Sequence, residues 1–152
     1  MRIVALALGL AMTSAACGGD DVEPVFPADY AASYQEVRGC RSSTDHDLHR
    51  IRVLADPAAL GPYRARDVGF PVGATVLKAE YDFGDTTCSG PVVAWTVMQR
   101  EADGGPAIQL GWRWQKVDGD RTVVSENEGR CLGCHAECGV PPDGYLGTCT
   151  VP

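Results

Sequence analysis

Cys131, Cys134 and His135 stand together as a C-x-x-C-H pentapeptide, with Cys138 close behind. Two thiols at that spacing can add to the two vinyl groups of a haem, and the adjacent imidazole can then ligate its iron. The same three cysteines and one histidine are also a donor set for tetrahedral zinc. A redox dithiol and a purely structural disulfide cluster complete the alternatives. Cys134 and His135 are immediate neighbours, which crowds a zinc site. A thioredoxin-like C-x-x-C belongs after an early strand, at the start of a helix in a βαβ unit, whereas this motif comes late. Covalent haem attachment is the reading these features favour.

Positions 136–152 contain neither Met nor His. The order of a small helical electron carrier, with its motif first and a Met ligand well downstream, is therefore missing. Met98, His46 and His49 are the remaining candidates for a sixth iron ligand. Met98 closes an apolar run and reads more readily as core. His46 and His49, in Asp45-His46-Asp47-Leu48-His49-Arg50, read more readily as surface or hydrogen-bonding residues. The expectation is a five-coordinate iron with an open face, suited to chemistry or gas binding on a small molecule.

The first residues indicate export. Arg2 is a minimal charged region, Ile3 to Met12 form an apolar run, and Ser14-Ala15-Ala16 is a small-residue cleavage region before Cys17. That arrangement resembles a bacterial lipoprotein signal, so residues 1–16 are expected to be removed and Cys17 lipidated. The protein is then periplasmic and membrane-anchored, or secreted if ordinary cleavage applies instead. The apolar run is too short to span a bilayer as a mature helix. Without Arg2, 12 of the 13 Lys and Arg face 20 Asp and Glu, a net charge of −8 with histidines neutral. No basic stripe is present, which disfavours nucleic acid as a partner.

Seven cysteines are present. Assigning Cys17 to lipid and Cys131 with Cys134 to haem leaves Cys40, Cys88, Cys138 and Cys149. An oxidising compartment favours disulfides among these. The preferred pairing is Cys138 with Cys149 and Cys40 with Cys88, although the count allows two others.

The elements that must position the motif read mostly as strands. Residues 17–28 form a polar tether, and 29–152 one domain. Ala28 to Val37 is expected to be a short helix. Strands are expected at Leu48–Leu54, Thr75–Phe83, Val92–Gln99, Leu110–Val117 and Arg121–Ser125. A helical turn starts at Asp56-Pro57 and stops at Gly61-Pro62, and Asp103-Gly104-Gly105 makes one of the tight turns. The fold class is α+β, mainly β: an antiparallel sheet of about five strands with short helices and a C-terminal haem-binding helix or loop.

Several blocks, in order, carry a family resemblance. They are Phe70-Pro71-Val72-Gly73-Ala74-Thr75-Val76-Leu77-Lys78, Trp95-Thr96-Val97-Met98, Gly111-Trp112-Arg113-Trp114, the C-x-x-C-H motif and Asp143-Gly144-Tyr145. From about Tyr34 to Gly147 the chain resembles the cytochrome P-460 family. The resemblance implies an exported, β-rich, often dimeric c-haem protein. Some members oxidise hydroxylamine; the related beta-type cytochromes c-prime bind nitric oxide and other small gases. It implies one covalent haem c held by Cys131 and Cys134, with His135 as axial ligand. It also implies that Lys78, one of only two lysines, matches the lysine cross-linked to haem in the enzymes. Glu80 is a candidate proton acceptor in the same pocket.

As strand residues, Lys78 and Glu80 are equally open to a solvated polar face, since alternation puts them with Val76 and Asp82, opposite Leu77, Ala79 and Tyr81. Tyr81, Phe83, Trp95, Trp112 and Trp114 line either haem or core. The four extra cysteines depart from the family pattern and suggest a disulfide-braced branch. Three functions follow as expectations. The first is a haem oxidoreductase acting on hydroxylamine or a related nitrogen species and passing electrons to an acceptor cytochrome. The second is a non-enzymatic gas-binding or electron-transfer cytochrome. The third is a haem-free, disulfide-stapled lipoprotein domain.

Overall fold

Alternating apolar residues in the middle of the chain build one six-stranded antiparallel sheet whose strands lie in sequence order. They are β1 (Gln35–Ser42), β2 (Arg50–Ala55), β3 (Thr75–Tyr81), β4 (Val92–Arg100), β5 (Trp112–Asp118) and β6 (Val123–Glu126). The computed structural model describes residues 22–102 and 110–149. Cys17, the segment before it and the Asp103-Gly104-Gly105 turn lie outside the described residues. Among those described, no helix is long and apolar enough to cross a membrane.

β1 corrects the expected helix over Ala28–Val37. Only Tyr30–Ala32 is helical, as a single 3-10 turn, and the chain is already extended at Gln35. β1 has no buried residue and two register irregularities against β2. A charged, irregular edge strand has no apolar period to advertise it, and such edges resist unwanted pairing. The Cys40–Cys88 disulfide ties β1 to the β3–β4 connection, with Cα atoms 5.6 Å apart.

The first long helix, α1 (Pro57–Ala65), starts as expected, with the Asp56 carboxylate accepting from the Ala59 N–H at 2.6 Å. It continues through Gly61-Pro62 instead of stopping there. Ala59 and Tyr63, one turn apart, are both buried, so tertiary packing overrides the cost of an internal proline. The second, α2 (Gly129–Cys138), carries the C-x-x-C-H motif.

Strand pairing sorts the side chains onto two faces. Val53, Lys78, Thr96 and Lys116 are paired in register across β2 to β5, as are Ala55, Val76, Met98 and Trp114. α1 and α2 pack on this face, where Ala59, Tyr63, Cys131 and Leu132 join its core cluster. The other face holds Leu77, Ala79, Tyr81, Trp95, Val97 and Val117. It is capped by Phe26 and Tyr30, whose rings meet edge-to-face at 5.5 Å.

Candidate functional site

Residues 134 and 135 follow residue 131 by three and four positions on α2, so both lie on its side of the helix. That side faces the sheet across a cavity of about 150 Å³. Val76, Lys78, Thr96, Met98 and Trp114 contribute to its sheet wall, and His46 enters from the β1–β2 connection. Glu128, Arg130 and Lys116 also line it.

His135 is buried and doubly held. Its Nδ1 donates to the Gly147 carbonyl at 2.6 Å, and its ring sits 4.4 Å from that of Trp114. Three glycines let the C-terminal loop approach the helix this closely. A Cβ on Gly139 would strike the His135 carbonyl, one on Gly144 the Cys138 carbonyl, and one on Gly147 (φ +87°) would lie 2.9 Å from Trp112 Nε1. Trp112 Nε1 in turn donates to the Leu146 carbonyl at 2.7 Å, and Cys138 is bonded to Cys149. With Nδ1 committed, Nε2 is left to act as a ligand. Burial, helped by the nearby Lys78 charge, depresses the imidazole to about 3, so it is neutral at physiological pH.

Both expected disulfides form, which removes Cys138 from any zinc set. Among the described residues, Cys131 and Cys134 are the free thiols, the first half-buried and the second exposed. Burial pushes the Cys131 thiol up. Two thiols and a neutral imidazole on one helix side are the donors a c-type haem requires. On the floor beneath them, Thr96 Oγ1 is buried with no hydrogen-bond partner among the described residues. The donor set and this orphaned hydroxyl fit a haem with a small polar ligand.

Lys78 is not a solvated lysine, which corrects the polar-face reading. It stands on the cavity floor, where burial lowers its amine to about 8. Its Nζ lies 2.9 Å from His46 Nε2. Glu80 is likewise no surface carboxylate. It is 1% exposed, with His49 Nδ1 2.9 Å from one oxygen and His46 Nδ1 3.5 Å from the other. Burial pushes Glu80 up, but the two imidazoles outweigh it and hold the carboxyl below its ordinary value. Burial dominates at His46 and lowers it.

The aromatic candidates separate cleanly. Trp114 lines the cavity, Trp112 is core beside it, Trp95 and Tyr81 occupy the opposite face, and Phe83 is exposed. Met98 is core as well as cavity wall, and its methyl group lies near Gly147 on the His135 side. His46 and His49 turn away from a ligand role toward Glu80. Their meeting with a carboxylate more than thirty residues away left no signal in the sequence. Glu128 and Arg130 were also missed, although helical spacing, one turn before Cys131 and Cys134 respectively, would have suggested them.

A comparison with curated protein sequences finds no match. The family model described as Cytochrome P460 matches residues 27–139. That span takes in all six strands, Lys78, Glu80 and the whole C-x-x-C-H helix. With the donor geometry of α2 and a match over most of its length, the chain belongs to the cytochrome P460 family of c-type haem proteins.

Proposed function

We propose that this protein is an exported, lipid-anchored haem oxidoreductase that acts on hydroxylamine or a related small nitrogen species. Cys131 and Cys134 would hold the haem by thioethers, and His135 would ligate its iron. When bound, the haem supplies the redox centre and binds the small substrate. The observation that carries the reading is the placement of Lys78 and the buried Glu80 in one cavity beneath the motif. An amine lowered to about 8 exists partly as the free base near neutral pH, so Lys78 is a nucleophile for a haem cross-link or a proton acceptor for a bound N–H or O–H group. Thr96 Oγ1 offers a hydrogen bond that orients such a group. A one-electron acceptor such as a cytochrome takes the electrons.

The apolar share of the wall, Val76, Met98 and Trp114, equally suits a dissolved gas, and this favours the non-enzymatic reading. Protein matured with the c-haem assembly machinery separates the two. Intact mass and peptide mapping are expected to find haem on Cys131 and Cys134 and an adduct on Lys78, with hydroxylamine turnover lost in Lys78→Ala. Haem without adduct or turnover leaves the gas-binding reading, and absence of haem overturns both. Cys131→Ser with Cys134→Ser should leave no haem after acid–acetone extraction.

A further inference from the structure

A chain of four polar side chains leads from the cavity to the surface. Lys78 Nζ meets His46 Nε2 at 2.9 Å, His46 Nδ1 lies 3.5 Å from Glu80 Oε1, and Glu80 Oε2 meets His49 Nδ1 at 2.9 Å. Lys78 and His46 line the cavity, whereas His49 stands outside its wall with 28% of its side chain exposed. Glu80, in the middle, is sealed at 1%.

The connection that brings the two histidines here is held in an unfavourable shape. Between them, Asp47 (φ 53°) and Leu48 (φ 64°) are both left-handed, a conformation that a branched side chain such as Leu48 rarely adopts. Such a backbone persists only where surrounding contacts over-determine it. Here Asp47 is clamped by Lys116 of β5 at 3.1 Å and by Arg130 of α2 at 3.6 Å. The turn thereby presents both rings to one carboxylate. Neutralising Lys78 against Glu80 needs only the His46 bridge; the second imidazole adds an outlet.

We propose that His46, Glu80 and His49 conduct protons between the cavity and solvent, entering through Lys78 and leaving at His49. The inference rests on the redox reading above. One-electron oxidation breaks an N–H or O–H bond of the substrate. The electron passes to the acceptor protein, which is reduced, and the proton stays in the cavity. It joins the Lys78 nitrogen, which hands a proton to His46 Nε2. That nitrogen is a primary amine or, once linked to haem, a secondary amine that keeps one N–H. His46 passes its Nδ1 proton to Glu80 Oε1, the 3.5 Å joint being the one that must shorten. At rest His49 donates its Nδ1–H to the ionised Glu80 Oε2. Once Glu80 is protonated its carboxyl turns, and His49, exchanged through water to its Nε2–H tautomer, takes that proton on Nδ1 and releases its Nε2 proton to water. None of the three touches substrate; they act through Lys78.

The test is proton uptake by the holo-protein on rapid reduction, followed with a pH-indicator dye in weak buffer. Wild type should take up a proton together with the electron. His49→Ala, at a partly exposed site, should slow uptake at least tenfold, and added imidazole should restore it. Glu80→Gln, which keeps shape but relays nothing, should slow it without rescue. Nitrogen-15 spectra of the histidine rings, in holo-protein and haem-free chain, should show the resting proton of His46 on Nδ1. No uptake in wild type, an unchanged rate in His49→Ala, a slow rate that imidazole does not rescue, or an Nε2–H tautomer at His46 overturns the proposal. If wild type fails to turn over hydroxylamine yet the dye signal and its rescue persist, the substrate reading alone falls.

Discussion

β3 serves two unlike surfaces at once. Leu77, Ala79 and Tyr81 point into an aromatic cluster closed by Phe26, Tyr30 and Trp95, where the Trp95 indole N–H donates to the Tyr30 hydroxyl at 3.2 Å. Val76, Lys78 and Glu80 point the other way, into the cavity under α2. The first face is filled with apolar and aromatic side chains, as a core that only stabilises should be. The second buries an amine and a carboxylate, which apolar packing alone would exclude. Its polar groups are satisfied by residues borrowed from a strained connection, and Thr96 Oγ1 is left without a partner. One face holds the domain together; the other gives up stability for chemistry.

Variants on each face put numbers on that division. Leu77→Ala, in the filled face, should cost about 2–5 kcal/mol in denaturant unfolding while leaving the haem bound per folded molecule unchanged. A loss of haem in proportion to the mutation would mean that the faces are not independent.

Lys78→Met should have the opposite sign. The Lys78 amine titrates at about 8 in the fold against an ordinary 10.5, so below pH 8 the fold carries a charge that the unfolded chain carries more cheaply in water. The penalty is full there and fades as pH rises from 8 to 10.5. Removing it should stabilise the haem-free protein at pH 7 by about 2 kcal/mol, after allowing for the lost His46 hydrogen bond. The gain should vanish by pH 10.5, and a gain that does not change with pH would point to packing instead.

Gly147→Ala should cost about 1–2 kcal/mol, because φ is +87° and the new methyl meets the Trp112 indole. It should also shift the haem absorption bands, since the carbonyl that holds His135 moves with it. Asp56→Ala, far from the cavity, should cost about 1 kcal/mol through loss of the α1 cap and leave the spectrum untouched.

Much of the sheet was legible because its alternation is a local signal. β2 buries every second residue, and β3 to β5 are stretches rich in β-branched and aromatic residues set off by turn residues. Counting thiols left four for disulfides, and the pairing that formed was the preferred one of three. β1 was invisible because an exposed edge strand needs no apolar face. The run of α1 through Pro62 was invisible because Tyr63 gains its stabilisation from contacts distant in sequence.

The division is sharpest at the site. The residues of Cys131 to His135 define donors, spacing and one shared helix side with no help from the rest of the chain, because a helical turn is a short-range object. Strand alternation likewise puts Lys78 and Glu80 on the same face. Which face would be covered, and by what, depends on how α2 and the β1–β2 connection pack. That packing alone decided that the face is a cavity, that His135 gives its Nδ1 to Gly147, and that His46 and His49 converge on Glu80. Contacts of that kind are set by the balance of burial over the whole molecule, and no local pattern in the sequence carries them.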